Sequence, residues 1–198
     1  MILGNTTVTN SLLESKVVLD ALICNEKAIS SIAAAGEQLI SAFRRGGRVF
    51  VCGNGGSMCD SIHFAEELSG RYRDNRKGLP AIAISDPGHL SCVGNDYGYE
   101  HVFSRYLEAH ARQGDVLVGI STSGKSINVI KAAEYAQHNN MSVITLTGHR
   151  ESHLSSFASI DICAPAGKYA DRVQELHIKV IHILIELVER ELFPENYN

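Results

Sequence analysis

Five short runs rich in apolar residues, at 48–52, 80–84, 115–120, 142–147 and 159–163, alternate along this chain with segments whose apolar residues recur at helical spacing. A strand that must be followed by another in the same direction needs a crossover of a dozen or more residues, and a helix supplies it. Strands alternating with helices imply a parallel sheet covered on both faces. The alternation therefore predicts an α/β protein: a three-layer, doubly wound, flavodoxin-like sheet of five parallel strands.

The helical segments complete this pattern. From 11 to 45 the residues Leu12, Leu13, Val17, Ala21, Ile29, Ile32, Leu39, Ile40 and Phe43 read as one long helix or two consecutive ones, stopped by Gly46-Gly47. Further helices are expected at 57–68, 99–112, 126–138 and 170–192, with a short one at 151–157. Ser85-Asp86-Pro87 is a helix start, a cap followed by Pro at the first helical position. In 198 residues this amounts to a single domain spanning 1–198, with 1–45 as an N-terminal helical segment.

The formal net charge of −4 gives no pull toward nucleic acid or an anionic membrane. No apolar run is long enough to span a bilayer. Residues 1–10 are polar and carry no secretory pattern. The five cysteines form no C-x-x-C pair, and an odd, scattered set fits reduced thiols in the cytoplasm.

In doubly wound sheets ligands sit beyond the carboxyl ends of the strands, and two loops of small residues fall there. The first is Gly53-Asn54-Gly55-Gly56-Ser57; the second is Ser121-Thr122-Ser123-Gly124-Lys125-Ser126. Such a loop entering a helix offers free backbone N–H groups and the positive end of the helix dipole, and its hydroxyls add donors to an anion. Residues 119–126 also fit the Walker A pattern G-x-x-x-x-G-K-S. A nucleotide site, however, needs a carboxylate at the end of another strand to organise magnesium. The two later runs end in none, and Asp161 lies inside its run. The four hydroxyls of Ser121, Thr122, Ser123 and Ser126 suit a single phosphate group better.

An acid–base or metal constellation accompanies the loops. His63 and Glu67 are four residues apart, so they share one face of the helix that follows the first loop. The last helix adds Asp171, Gln174, His177 and His182, the last of them inside an apolar run. Gln174 and His182 are separated by about 80° around the helix and ~12 Å along it, so their spacing alone argues only weakly for a shared metal. Imidazole and carboxylate together can hold a metal or move protons.

With these residues in place, the chain resembles the bacterial sedoheptulose-7-phosphate isomerases (phosphoheptose isomerases) of the sugar-isomerase, or SIS, fold. The matching stretches are CGNGGS (52–57), HFAEELSGRYR (63–73), PAIAISD (80–86), SCVGNDYG (91–98), GDVLVGISTSG (114–124), VITLTG (143–148) and YADRVQELHIKVIHILI (169–185). They run in order from about residue 46 to the last helix, whereas the first 40 residues match only as a helical pattern.

The resemblance implies a reaction: an aldose–ketose isomerisation of sedoheptulose 7-phosphate through an enediol, the first step toward the ADP-heptose of the lipopolysaccharide core. It implies Glu67 and His182 as the acid–base pair. It implies a Zn²⁺ held, in some members, by the residues matching His63, Glu67, Gln174 and His182. Ser121, Thr122, Ser123 and Ser126 correspond to the phosphate loop; Asn54, Gly55, Gly56, Ser57, Asn95 and Asp96 line the sugar, and Gln174, Asp171 and Arg71 join them. Homotetramers with active sites at subunit contacts are expected. A close relative of the family is a non-enzymatic protein that binds the bacterial replication initiator and lacks the acidic residue and the terminal-helix His; this chain keeps both. One departure stands out. Lys125 replaces an Asn of the family, and that change alone creates the Walker A match.

Overall fold

A computed structural model describes residues 2–165, 167 and 169–197. The chain forms α1 (Ile2–Ile23), α2 (Glu26–Arg44), β1 (Val49–Gly53), α3 (Gly56–Ser69), β2 (Ala81–Ala83), α4 (Pro87–Asp96), α5 (Val102–His110), β3 (Val116–Ser121), α6 (Ile127–His138), β4 (Ser142–Thr147), β5 (Ile160–Cys163) and α7 (Ala170–Leu192). The strands lie in the order β2-β1-β3-β4-β5, every neighbouring pair parallel. This is the flavodoxin-like sheet expected from the alternation.

Alternate residues of each strand feed opposite faces. Val49 and Val51 of β1, with Val116, Val118 and Ile120 of β3, join one buried cluster that α1, α2, α3 and α7 cover. Phe50, Cys52 and Leu117 point into a second cluster covered by α4, α5 and α6. The two clusters make the three layers. α7 buries Val173, Leu176, Val180, Ile181, Leu184, Ile185 and Val188, a stripe at helical spacing. Each such side chain, fully buried, contributes about 1.5–3 kcal/mol.

The structure refines several element boundaries. The stretch 11–45 is two helices, not one: Asn25 caps the second, its side chain accepting from the Ala28 N–H at 3.2 Å. Gly46, at φ +76°, lies just beyond the end of α2. Residues 99–112 divide into a 3₁₀ turn, Tyr99–His101, and α5. The short helix expected at 151–157 is a 3₁₀ turn over Leu154–Phe157. β2 is only Ala81–Ala83, although the Pro80 carbonyl accepts from the Val49 N–H and the Ile84 N–H donates to the Val51 carbonyl, each at 2.9 Å. Among the described residues no helix is long and apolar enough to cross a membrane.

The chain steps outward from β1 to β2 and then returns to β3 on the other side of β1. That reversal opens a crevice at the carboxyl ends of β1 and β3, where register pairs Gly53 with Ile120. Both glycine- and serine-rich loops leave from that edge.

Candidate active site

The first loop turns sharply at Gly55, whose φ of +56° favours a residue without a Cβ. Gly56 then opens α3, and a Cβ there would lie 2.7 Å from the Gln174 amide nitrogen. Gly56 thus leaves room for the Gln174 amide to sit against the first turn of α3. No side chain caps α3. In the second loop Gly124 sits at φ +63°, and Ser121 Oγ donates to Ser126 Oγ at 3.0 Å. Ser126 therefore does not cap α6, although it occupies the capping position. Thr122 is half-buried, while Ser123 and Lys125 are exposed.

The two loops are fastened together by a residue the sequence did not single out. Asn54 Nδ2 donates to Asn128 Oδ1 at 2.9 Å, and Asn128 Nδ2 donates to Asn54 Oδ1 at 2.8 Å. Asn128 Oδ1 also accepts from the Val129 N–H at 3.0 Å, and Tyr99 Oη donates to Asn54 Oδ1 at 3.4 Å. A polar residue in the first turn of a helix has many explanations, so only the folded geometry identifies Asn128.

α3 packs on α7, and this packing assembles the polar centre. His63 Nε2 lies 3.0 Å from His182 Nε2 and 3.4 Å from Glu67 Oε1. Ligand atoms of His63, Glu67 and His182 all fall within 4.8 Å of one another. The Tyr72 ring flanks His182, with centroids 5.7 Å apart. Glu67 Oε2 and Asp60 Oδ2 are buried and without a hydrogen-bond partner among the described residues.

Burial shapes the protonation of these groups. It raises the Glu67 carboxyl above its ordinary value, helped by the neighbouring Glu66 charge. It lowers His182, with the His63, Lys179 and Arg73 charges acting in the same direction. It pushes Asp60, one turn before His63, up to about 6. The carboxylate and the imidazole are thus drawn toward each other in basicity, so a proton passes between them and a substrate at small cost.

The donor set also fits a divalent metal. Two Zn–N bonds of about 2.0–2.1 Å at a tetrahedral angle place their nitrogens roughly 3.3 Å apart, close to the separation of the two imidazoles. A carboxylate oxygen with no partner is the third available donor. Gln174 reaches the same crevice along the Gly56 side.

Four other expected site residues are exposed. Asn95 and Asp96, at the end of α4, are exposed, and Asn95 Nδ2 donates to Asp96 Oδ1 at 2.8 Å. Asp171 is exposed in the first turn of α7, where its Oδ1 accepts from the Arg172 N–H. Arg71 is exposed beyond α3. Among the described residues no hydrogen bond or ion pair joins these four to the His63–Glu67–His182 centre. His177 is separate from it: fully buried, it points Nε2 at the Thr147 carbonyl oxygen, 3.2 Å away. Asp161 accepts from the hydroxyls of Thr145 and Thr147 at 2.7 and 3.1 Å, so it is engaged inside the sheet rather than free for magnesium.

The chain is similar to known proteins in sequence and in fold. The SIS-domain family signature matches residues 14–148. Phosphoheptose isomerase from Enterobacter sp. (strain 638) is 57% identical over 93% of this chain and 96% of its own length. The same enzyme from Aeromonas hydrophila is 55% identical over the same shares. Among solved structures, phosphoheptose isomerase GmhA from Neisseria gonorrhoeae superimposes with a TM-score of 0.86 at 35% identity, covering 93% of this chain and 98% of that one. A phosphoheptose isomerase from Francisella tularensis gives 0.86 at 32% identity, over 94% and 98%. The chain is an isomerase and belongs to the phosphoheptose isomerase family of SIS-domain proteins.

Proposed function

We propose that this chain converts sedoheptulose 7-phosphate to D-glycero-D-manno-heptose 7-phosphate through an enediol, the first step of ADP-heptose synthesis for the lipopolysaccharide core. The observation that supports the reading is the convergence of His63, Glu67 and His182 in a fold that brings two glycine- and serine-rich loops to the switch point of the sheet.

The phosphate sits in the second loop, against the hydroxyls of Ser121, Thr122, Ser123 and Ser126 and the uncapped first turn of α6. Holding the far end of the sugar there positions the reacting carbons, so remote binding energy serves the chemistry. Asn54, Gly55, Gly56, Ser57, Asn95, Asp96, Arg71, Asp171 and Gln174 line the sugar chain. Glu67, ionised, takes the proton from C1 and returns it to C2. His182 gives a proton to O2 as the enediol forms and recovers one from O1 as the aldehyde appears. Proton count and charge balance over the cycle.

Zn²⁺, one per subunit, fits His63, Glu67, Gln174 and His182, and when bound would polarise the substrate oxygens as a Lewis acid. The working unit is a homotetramer in the cytoplasm. The exposed apolar residues of α1, Leu12, Leu13 and Val17 among them, support burial of that helix against another subunit. The whole chain, 1–198, acts as one SIS domain with 1–45 as its helical N-terminal segment.

A coupled assay with sedoheptulose 7-phosphate, run with and without a chelator and beside other sugar phosphates, tests substrate and metal together. Turnover selective for the heptulose supports the reading; absence of turnover, or equal turnover of shorter sugar phosphates, overturns it.

A further inference from the structure

We infer that Arg76 is a positioning residue for the isomerase site, acting through the backbone of Glu67. The inference rests on the acid–base reading of Glu67 and His182. Arg76 lies in the irregular segment between α3 and β2, yet its side chain is 1% exposed and that of its partner Glu189 is 0%. Arginine in a loop is ordinarily solvated, so this burial needs a reason.

The hydrogen bonds supply it. Arg76 Nη2 donates to the Glu67 carbonyl oxygen at 2.6 Å, and Nη1 donates to those of Leu68 and Gly70 at 2.8 and 2.9 Å. These carbonyls end α3, where the helix can offer them no N–H. Nε donates to Glu189 Oε1 at 2.7 Å, and Tyr197 Oη donates to Glu189 Oε2 at 2.8 Å. Four of the five N–H groups of the guanidinium are thereby aimed either at the end of α3 or at α7.

Glu189 follows His182 by seven residues, two turns of α7, which places them about 20° apart around the axis and on one face. One guanidinium thus ties the main chain of Glu67 to the helix face that carries His182. The distance between those two groups is set by this clamp as well as by apolar packing, and a misplacement of about 1 Å at reacting groups costs on the order of 10²-fold in rate.

A purely structural ion pair is the rival reading, and a paired substitution separates the two. Removing one partner leaves a buried charge, whereas replacing both by apolar side chains of similar volume is often neutral for stability. The variant Arg76→Met/Glu189→Met leaves no buried charge but takes the donors from the Glu67, Leu68 and Gly70 carbonyls, so it is expected to melt below the native protein yet stay folded at the assay temperature. Its kcat should fall at least tenfold, its KM should change less than threefold, and its affinity for zinc alone, read by titration calorimetry, should fall at least tenfold. Arg76→Lys keeps a charge but cannot reach three carbonyls and Glu189 together, and should give intermediate values. A folded double variant with native kcat and native zinc affinity overturns the proposal, as does a loss of kcat that tracks the unfolded fraction. Should the double variant not fold, Arg76→Lys decides: native kcat and zinc affinity in that protein overturn it equally. Native protein inert toward sedoheptulose 7-phosphate would instead overturn the acid–base reading; the zinc titration still reports on the Arg76 clamp.

Discussion

Asn54 and Asn128 exchange two amide hydrogen bonds, of 2.9 and 2.8 Å, across the crevice between β1 and β3. Asn54 belongs to the loop after β1, and Asn128 to the first turn of α6, the helix that follows the second loop. The pair therefore ties the two loops together, which in the proposed function hold the two ends of the substrate. Asn128→Asp keeps an acceptor for the Val129 N–H but offers Asn54 Oδ1 no donor. We expect KM for the sugar phosphate to rise roughly tenfold, in line with about 1–2 kcal/mol for an unmade buried hydrogen bond. Steady-state kinetics measure this; an unchanged KM would show that the loops hold their spacing without the pair.

Glu67→Gln and His182→Gln remove the proposed base and proton carrier with little change of shape. Each should lower kcat by about 10²–10⁴-fold while leaving the circular dichroism spectrum and the melting temperature close to native. The same variants should lose exchange of solvent deuterium into the sugar at C1 and C2. Full activity in either would sink the proposed acid–base assignment.

Much of this arrangement was legible in the sequence, for physical reasons that vary from element to element. The apolar runs and the glycine loops declare themselves because a buried parallel strand and a backbone that approaches a ligand each restrict composition severely. The break at Cys24-Asn25 does not, because apolar spacing continues almost unbroken through it. His177 and His182 look alike, two histidines in one apolar helix. Being five residues apart they point about 140° from each other, one toward the Thr147 carbonyl of the sheet and one toward α3. Arg76 and Glu189 are 113 positions apart and each reads as a surface charge until the fold closes on them. Asn95, Asp96, Arg71 and Asp171 have their place in the site only by family resemblance.

Lys125→Asn should change little. The Lys125 side chain is exposed, and its backbone N–H donates to Ser123 Oγ at 3.2 Å, a bond the substitution retains. With Asp161 engaged by two threonines, the Walker A string has no carboxylate to complete it. We expect kcat within about twofold of native and a small rise in KM, since an exposed charge near the phosphate is worth at most about 1 kcal/mol. Equilibrium dialysis should detect no magnesium-dependent ATP binding in either protein, and tight binding to the native form would reopen the nucleotide reading.

His177 gives the fold a dependence on pH that is separate from catalysis. Burial lowers its pKa from 6.5 to about 4, opposed only in part by the hydrogen bond to the Thr147 carbonyl. The unfolded chain therefore binds a proton between those values that the folded chain refuses. Stability from this residue is fully present above about pH 6.5 and is lost as the pH falls toward 4. The span corresponds to about 3 kcal/mol, on a scale of about 1.4 kcal/mol per unit. His177→Gln keeps a donor for the carbonyl but does not titrate. Urea unfolding at pH 7 and pH 5 should show the native protein losing clearly more stability than the variant between the two. Equal losses would mean that carboxylates elsewhere dominate the acid limb and that His177 is silent in it.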